Sequence, residues 1–243
     1  MTVLTAAALD AYAESYYLNP RIEDVPIEEL GQRRSVDRTI AALHGAERVL
    51  EMGYGTGLMT AELLSRQVPI EVIEGAPSLC AAARAAHPEL TVHEALFEQF
   101  SPAAAFDAVL ALHIAEHVDD PVALFRLVHG WLTPGGAIVV MVPNARSLHR
   151  RLAVRMGLQP ELDSLSARDH LVGHQRVYDF ERLTGDLHAA GFTVQEQFGY
   201  QLKTVANGMM NDWPMDLHGA LVDISEELDP DLLANIGVRA VRS

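Results

Sequence analysis

The chain has 243 residues, of which 49% are apolar and 21% charged, and this is the composition of an ordinary globular domain. Its 33 acidic and 18 basic side chains give a formal net charge of −15, which repels the phosphates of nucleic acid. No stretch approaches the roughly 18 apolar residues that cross a bilayer, and the N-terminus lacks the features of a signal peptide. We therefore expect a cytoplasmic protein that binds neither nucleic acid nor membranes.

Helices are predicted before residue 45, and strands that alternate with helices are predicted after it. Residues 5–18 and 27–43 have helical patterns, so residues 1–45 are interpreted as an N-terminal helical cap and residues 46–243 as the main domain. The predicted strands are Arg48–Met52, Ile70–Ile73, Thr91–Glu94, Asp107–Leu112 and Ala137–Val142, with a later one in the sequence FTVQEQF. The predicted helices of this part are Leu58–Ser65, Ser78–Ala86 and Val122–Trp131, with another that ends at Gly191. This alternation predicts an α/β fold with a mostly parallel sheet.

A glycine-rich turn directly follows the first predicted strand. The sequence Val49-Leu-Glu-Met-Gly-Tyr-Gly-Thr-Gly57 has glycines at positions 53, 55 and 57, which let a ligand lie close against the backbone. The dinucleotide pattern needs a further glycine where this chain has Leu58. Glu51 precedes the turn, and Glu74 follows the next strand, where a carboxylate accepts both hydroxyls of a ribose. These residues predict a ligand with a ribose and a cationic portion but no phosphate.

At these motifs the chain resembles the class I S-adenosylmethionine-dependent methyltransferases, over about residues 45–200. The segments FDAVLALHIAEHVDDP and LTPGGAIVVMVPN are similar to the fourth- and fifth-strand motifs of that family, in particular of its small-molecule enzymes of the ubiquinone-pathway type. The resemblance implies a Rossmann-like sheet of seven mostly parallel strands with helices on both faces. It also implies that the cofactor is S-adenosyl-L-methionine.

The resemblance further implies which residues hold this cofactor. The methionine end is shaped by Glu51 and by the glycine turn, which contributes Gly53, Tyr54, Gly55 and Gly57. Glu74 holds the ribose hydroxyls. Where the family often places an aspartate for the adenine amino group, this chain has Ala95-Leu96-Phe97, so apolar contacts and main-chain bonds are expected instead. The remaining expected contacts are Gly75, Ala76, Leu96 and Phe97 at the adenosine and His113 at the methionine end.

Segment 144–178 follows the fifth predicted strand and is rich in arginine and histidine. We predict that it caps the sheet together with residues 199–230 and the N-terminal helices. Two interpretations of its arginines stay open: they bind an anionic or polar acceptor, or they lie on a solvated helix. The residues predicted to face the acceptor are Arg146, Arg176 and Tyr178, with Tyr16 and Tyr17 from the N-terminal cap.

Histidines are the candidates for taking a proton from a methyl acceptor, because imidazole titrates near neutral pH. The three that we consider are His174, His170 and His117. Glu116 and His117 have a second interpretation, as a pair that forms local hydrogen bonds. His170 and His174 are four residues apart, which is a metal-ligand spacing, but no further ligand cluster follows them, so no metal is predicted.

The sequence predicts an enzyme that transfers a methyl group to an oxygen or nitrogen of a small metabolite. One alternative keeps the cofactor and changes the chemistry to cyclisation or aminopropyl transfer, with release of methylthioadenosine. The other is a non-catalytic binding module that retains the fold. A homodimer is one possible assembly, formed through the C-terminal part.

Overall fold

The computed structural model describes residues 5–17 and 25–243. Its helices are α1 (Ala6–Ser15), α2 (Val25–Leu43), α3 (Leu58–Ser65), α4 (Pro77–Ala86), α5 (Pro121–Trp131), α6 (Leu148–Arg155), α7 (Ala167–Leu171), α8 (Phe180–Ala189) and α9 (Met215–Ile224). Its strands are β1 (Val49–Met52), β2 (Ile70–Glu74), β3 (Thr91–Glu94), β4 (Phe106–Leu112), β5 (Leu132–Pro143), β6 (Phe192–Tyr200) and β7 (Asn235–Arg242). Residue 18 of the predicted first helix lies outside the described residues.

The seven strands form one sheet in the order β3-β2-β1-β4-β5-β7-β6. The pairs from β3 to β5 are parallel, whereas β7 runs antiparallel between β5 and β6. The predicted seven-stranded, mostly parallel, Rossmann-like sheet is therefore confirmed. Because β6 runs in the same direction as β5, the carboxyl ends of β1 to β6 all lie along one edge of the sheet.

Both faces of the central strands are buried, and successive residues of a strand pack on opposite sides. Ile138 and Val140 of β5 belong to the core beneath α5 and α8, whereas Val139 and Met141 belong to the core beneath α2, α3 and α4. This two-sided burial explains why the strand is a continuous apolar run in the sequence rather than an alternating one.

Two strands differ most from the prediction. β5 begins at Leu132 rather than at Ala137, because Leu132 pairs with Phe106 across an irregular register. β7 is not among the strands predicted from the pattern. It carries Gly237, where a Cβ atom would collide with the ring of Phe198, and a glycine inside a strand weakens the strand pattern.

The capping segments contact one another above the carboxyl edge of the sheet. α1 packs against α4, and the insertion after β5 contains α6 and α7. The hydroxyl of Tyr12 on α1 donates a hydrogen bond to the carbonyl of Val172, the residue after α7, at 2.9 Å. Within the described ranges, no helix is both long and apolar enough to span a membrane.

Candidate active site

A cavity of about 370 Å³ lies beyond the carboxyl ends of β1, β2 and β4, beneath α1. This is the edge of an open α/β sheet at which ligands bind, beside the point where the strand order reverses. Apart from Gly57, every residue predicted to contact the cofactor lines the cavity: Glu51, Gly53, Tyr54, Gly55, Glu74, Gly75, Ala76, Leu96, Phe97 and His113.

The glycine turn brings bare backbone to the cavity. Gly53, Gly55 and Gly57 have φ angles of +77°, +54° and +76°, which residues with a Cβ atom rarely adopt. A Cβ atom at Gly55 would lie 3.5 Å from the ring of Tyr17, which also lines the cavity. One at Gly57 would collide with the hydroxyl of Tyr54 instead. Gly55 therefore faces the cavity, whereas Gly57 lets the turn close behind it.

Two buried carboxyl groups flank this turn. Glu74 accepts hydrogen bonds from the backbone N–H groups of Tyr54 at 2.9 Å and Ala76 at 2.7 Å, one to each oxygen. Each oxygen keeps a second lone pair for a ligand hydroxyl. Glu51 accepts a hydrogen bond from the hydroxyl of Thr60 at 2.7 Å, and burial raises its pKa to about 8. A cationic group bound beside Glu51 would restore its charged form.

His113 holds a fixed position on the floor of the cavity. It follows β4 with a φ of +56°, a strained conformation for a residue with a side chain. Its backbone N–H donates to the carbonyl of Met141 at 2.8 Å. Its ring lies between the Glu116 carboxylate, 3.1 Å from Nδ1, and the Tyr200 hydroxyl, 2.6 Å from Nε2. The imidazole is therefore positioned from both sides.

Glu116 is fully buried among three imidazoles. Its Oε1 lies 3.1 Å from His113 and 4.0 Å from Nε2 of His174, whereas its Oε2 has no hydrogen-bond partner among the described residues. Burial alone would raise the pKa of Glu116, but the hydrogen bond to His113 and the charges of His117 and His174 lower it overall. A negative charge therefore lies directly behind the histidines of the site.

His174 is held in place by the insertion. Its Nδ1 lies 2.8 Å from Asp169 on α7, and Asp169 in turn forms a 2.6 Å ion pair with Arg150 on α6. The Arg150 and Asp169 side chains are 7% and 6% exposed. Burial opposes the charge of Asp169, but the hydrogen bond to His174 and the Arg150 guanidinium hold the pKa of that carboxyl well below its usual value. The interpretation of Arg150 as part of a solvated helix is therefore wrong.

Of the three candidate histidine bases, His117 is the one that lines the cavity. Its ring packs edge to face on the ring of His174, with 4.8 Å between the centroids. Burial lowers the pKa of His117, so its imidazole is neutral and able to accept a proton at pH 7. His174 lies behind this ring. His170 is exposed to solvent on α7, and the structure does not bring it to the cavity.

Of the three tyrosines in the N-terminal cap, two line the cavity and one lies outside it. Tyr17 lines the cavity, as does Tyr12, which the sequence analysis did not select. Tyr16 is not in the lining, and its hydroxyl accepts a hydrogen bond from Arg168 at 2.8 Å. Tyr12 lies on α1 and Tyr16 directly follows its last residue, so the course of the cap over the sheet decides which of them faces inward.

The structure does not place the other predicted acceptor contacts at the cavity, because each is engaged elsewhere. Arg146 is half exposed and pairs with Asp231 at 3.0 Å. Arg176 donates to backbone carbonyls of the turn after β4, including that of Ala115 at 2.9 Å. Tyr178 is completely buried, and its hydroxyl donates to Asp186 of α8 at 3.1 Å.

Several cavity residues carry little signal in the sequence. Tyr200 ends β6, two residues beyond the predicted strand, and recognising that β6 ends at the same edge as β5 would have pointed to it. The other residues of the lining that were not selected include Gln32, Ser35, Glu98, Ile114, Val118, Val172 and Gly173.

One group of described residues has the geometry of a metal site. The ligand atoms of Glu116, His117 and His174 all lie within 4.8 Å of one another. His170, which was considered with His174 from the spacing, is not part of this group. That the protein needs no metal stays a prediction.

The fold and the cavity define a class of protein. A seven-stranded Rossmann-like sheet, with a glycine turn and two acids at its carboxyl edge, is the architecture of a class I S-adenosylmethionine-dependent methyltransferase. A family model described as a methyltransferase domain matches residues 27–197, and the chain belongs to this family. The predictions of a methyltransferase enzyme and of S-adenosyl-L-methionine as its cofactor are confirmed.

Curated relatives match about half of the chain. A ubiquinone biosynthesis O-methyltransferase of Xanthomonas campestris pv. campestris (strain B100) is 34% identical over 119 residues, which are 46% of this chain and 49% of that protein. One from Xylella fastidiosa (strain 9a5c) is 33% identical over 121 residues, 46% of this chain and 48% of that protein. The chain thus spans about half the length of the curated relatives it matches.

Solved structures share the fold over nearly the whole chain. A methyltransferase of Thermotoga maritima, described as a possible histamine N-methyltransferase, has a TM-score of 0.66 and 16% identity, covering 97% of this chain and all of that one. The N-methyltransferase NodS of Bradyrhizobium japonicum WM9, in complex with S-adenosyl-L-homocysteine, has a TM-score of 0.60 and 15% identity, covering 96% of this chain and 98% of that one.

Proposed function

We propose that the protein transfers a methyl group from S-adenosyl-L-methionine to a hydroxyl oxygen, or alternatively a nitrogen, of a small metabolite. The observation that carries this proposal is that a neutral imidazole, that of His117, opens into the same cavity as the glycine turn. A hydroxyl loses its proton when its oxygen is methylated, and a neutral imidazole accepts a proton near pH 7. The curated relatives, which are O-methyltransferases by name, support oxygen as the acceptor atom.

The residues around the turn fit the cofactor. The ammonium group of its methionine portion would complement the buried carboxyl of Glu51, and Glu74 offers two oxygens to the ribose hydroxyls. When bound, the cofactor supplies a methyl group activated by a sulfonium. The proposed contacts are Glu51, Gly53, Tyr54, Gly55 and His113 at the methionine end, and Glu74, Gly75, Ala76, Leu96 and Phe97 at the adenosine.

The residues beside His117 support its proposed role as general base. A proton gained by His117 gives the imidazole a positive charge, which the carboxylate of Glu116 behind it stabilises. His174, held by Asp169, packs on the His117 ring and orients it toward the cavity. The cavity then aligns the acceptor with the methyl group and limits its contact with water. Location in the cytoplasm and assembly as a homodimer stay predictions from the sequence.

The released adenosyl product tests the reaction. Purified protein is incubated with S-adenosyl-L-methionine and a panel of small hydroxyl and amine acceptors, and the products are separated by chromatography. S-adenosyl-L-homocysteine together with a methylated acceptor would support methyl transfer. Methylthioadenosine would favour cyclisation or aminopropyl transfer instead. Tight cofactor binding with no product from any acceptor would favour the non-catalytic binding module.

A pair of histidine variants tests the proposed base. His117→Gln is expected to lower kcat at least about 100-fold, the usual contribution of a general base, while cofactor affinity is kept. His170→Gln is the matched control, because that side chain is exposed outside the cavity, and it should leave kcat unchanged. The same assay after treatment with a chelator separates this role from that of a metal held by Glu116, His117 and His174. Equal kcat values for the two variants would contradict the assignment.

A further inference from the structure

We propose that the acceptor site selects by charge: it takes an uncharged hydroxyaromatic acceptor and rejects acceptors that carry a carboxylate, phosphate or sulfate. This inference rests on the proposed methyl transfer and deepens it by naming the class of acceptor. It also reverses the sequence-based interpretation in which arginines of segment 144–178 bind an anion.

The described part of the cavity wall carries acidic groups and no basic side chain. Among the described residues that line it, none is lysine or arginine, whereas Glu74 and Glu98 are acidic, as is Glu51 once a cationic group lies beside it. The buried carboxyl of Glu116 is a further acidic group, and it lies behind His117. An anion that enters this cavity therefore gives up water without gaining a positively charged partner from the described wall.

The arginines of the insertion are used within the protein. Arg150 forms its buried ion pair with Asp169 at 2.6 Å. Arg146 and Arg151 both pair with Asp231, at 3.0 Å and 2.6 Å. An anionic acceptor would have to compete with carboxylates that already hold these guanidinium groups.

Three further cations of the described residues are also engaged. Lys203, the single lysine of the chain, lies 2.6 Å from the carboxylate of Glu28. Arg168 stands over the ring of Tyr16, 5.2 Å from its centroid, on the outer side of the cap. Arg176 donates to the backbone carbonyls of the turn after β4. None of these three side chains belongs to the described lining of the cavity.

The rest of the wall suits a flat, uncharged ring. Tyr12, Tyr17 and His117 all line the cavity, with 5.6 Å between the Tyr12 and Tyr17 ring centroids and 6.4 Å between those of Tyr12 and His117. The Tyr12 and Tyr17 rings meet edge to face, and aromatic groups pack well against such edges and faces. Ile114 and Val172 add apolar surface beside them.

Binding of matched ligand pairs tests the proposed preference for uncharged over anionic acceptors, which we call the charge rule. The probes are hydroxybenzoic acids and the corresponding hydroxybenzamides, which share ring and hydroxyl positions and differ in one negative charge. They are titrated calorimetrically into the protein saturated with S-adenosyl-L-homocysteine, which has no sulfonium charge to attract an anion. The amides are expected to bind roughly tenfold or more tightly than the acids, since burying an anion without a positively charged partner costs at least that factor.

The outcomes of this titration separate the two proposals. Equal binding of acid and amide, tighter binding of the acids, or no binding of any amide would overturn the charge rule. Failure to bind S-adenosyl-L-homocysteine at all, or release of no S-adenosyl-L-homocysteine in turnover, would instead overturn the proposed methyl transfer.

A charge placed in the wall provides a second test. Gln32 of α2 lines the cavity and is partly exposed, so Gln32→Arg adds a cation where an acceptor would meet it. The preference for amides should shrink roughly tenfold or reverse in this variant. Ala189→Arg adds the same charge at the exposed end of α8, outside the lining, and should leave the preference unchanged. An unchanged preference in a folded Gln32→Arg protein would overturn the charge rule. If that variant does not fold, the titration of the unmodified protein decides.

Discussion

Cofactor binding is expected to release a proton from Glu51. This carboxyl is 4% exposed, and burial raises its pKa to about 8, although the hydrogen bond from Thr60 opposes the shift. At pH 7 a group with that pKa carries its proton in about nine molecules out of ten. The ammonium group of the cofactor, bound beside Glu51, favours the ionised carboxylate. About 0.9 proton should therefore leave for each complex that forms.

Calorimetry in several buffers measures this number. The released proton is taken up by the buffer, so the heat of S-adenosyl-L-homocysteine binding at pH 7 should vary with the ionisation enthalpy of the buffer. Glu51→Gln has no such proton to release and should abolish the variation. Glu98→Gln removes an exposed carboxyl from the same cavity wall and should keep it. A binding heat that is equal in all buffers for the unmodified protein would refute the reasoning that burial keeps Glu51 protonated.

The stability of the free protein gives a second readout of the same pKa. Glu51 has a folded-state pKa of about 8 against an ordinary value of 4.5, so the folded state holds the extra proton between these two pH values. Its contribution to stability is therefore lost as pH rises through that window, by at most about 4–5 kcal/mol. Thermal unfolding at pH 5 and pH 9 should show a smaller difference for Glu51→Gln than for the unmodified protein. An equal difference would count against the shift.

Three further substitutions, two of them with a matched control, have expected outcomes. Gly55→Leu should abolish binding of S-adenosyl-L-homocysteine in calorimetry. Gly45→Leu is its control, because it introduces the same side chain at a similar positive φ with open space around it. The control should lose only about 1–2 kcal/mol of stability and keep binding. Arg150→Leu removes the guanidinium partner of the buried Asp169 carboxylate and should lower the free energy of unfolding by about 3–5 kcal/mol. Arg146→Leu breaks an exposed pair and should cost less than about 1 kcal/mol in the same denaturant titration. Tyr178→Phe removes a buried hydrogen bond and should lower the free energy of unfolding by about 1 kcal/mol, with KM for the acceptor unchanged. A raised KM would instead support the sequence-based prediction that Tyr178 contacts the acceptor.

The cofactor half of the cavity was predictable because its signal is local. Glu51 and Glu74 stand at the ends of consecutive strands, and the glycine turn lies between one of these strands and a helix. In a parallel sheet such strand ends meet at one edge, so short spacings in the sequence already define neighbours in space. Even Leu96 and Phe97, which replace a common aspartate of the family, line the cavity as expected.

The other half was not predictable, because its geometry depends on contacts between distant parts of the chain. Arg151 finds its partner, Asp231, eighty residues further along the chain. Which histidine faces the cavity depends on how the insertion folds back over β4. His117 precedes the insertion, whereas His174 and His170 belong to it, and nothing in their spacing distinguishes the inward ring from the exposed one.

The reversal of strand order between β1 and β4 separates two sets of loops along the same edge. The ends of β1, β2 and β3 and the loops after them carry the glycine turn, the two acids and the proposed adenosine contacts. The end of β6 and the loops after β4 and β5 carry Tyr200, His117 and the insertion. Each set can accumulate substitutions while the other stays intact. A lineage built on this sheet can therefore acquire new acceptors by exchanging the second set, and chimeras joined between β3 and β4 are the natural units for redesigning it.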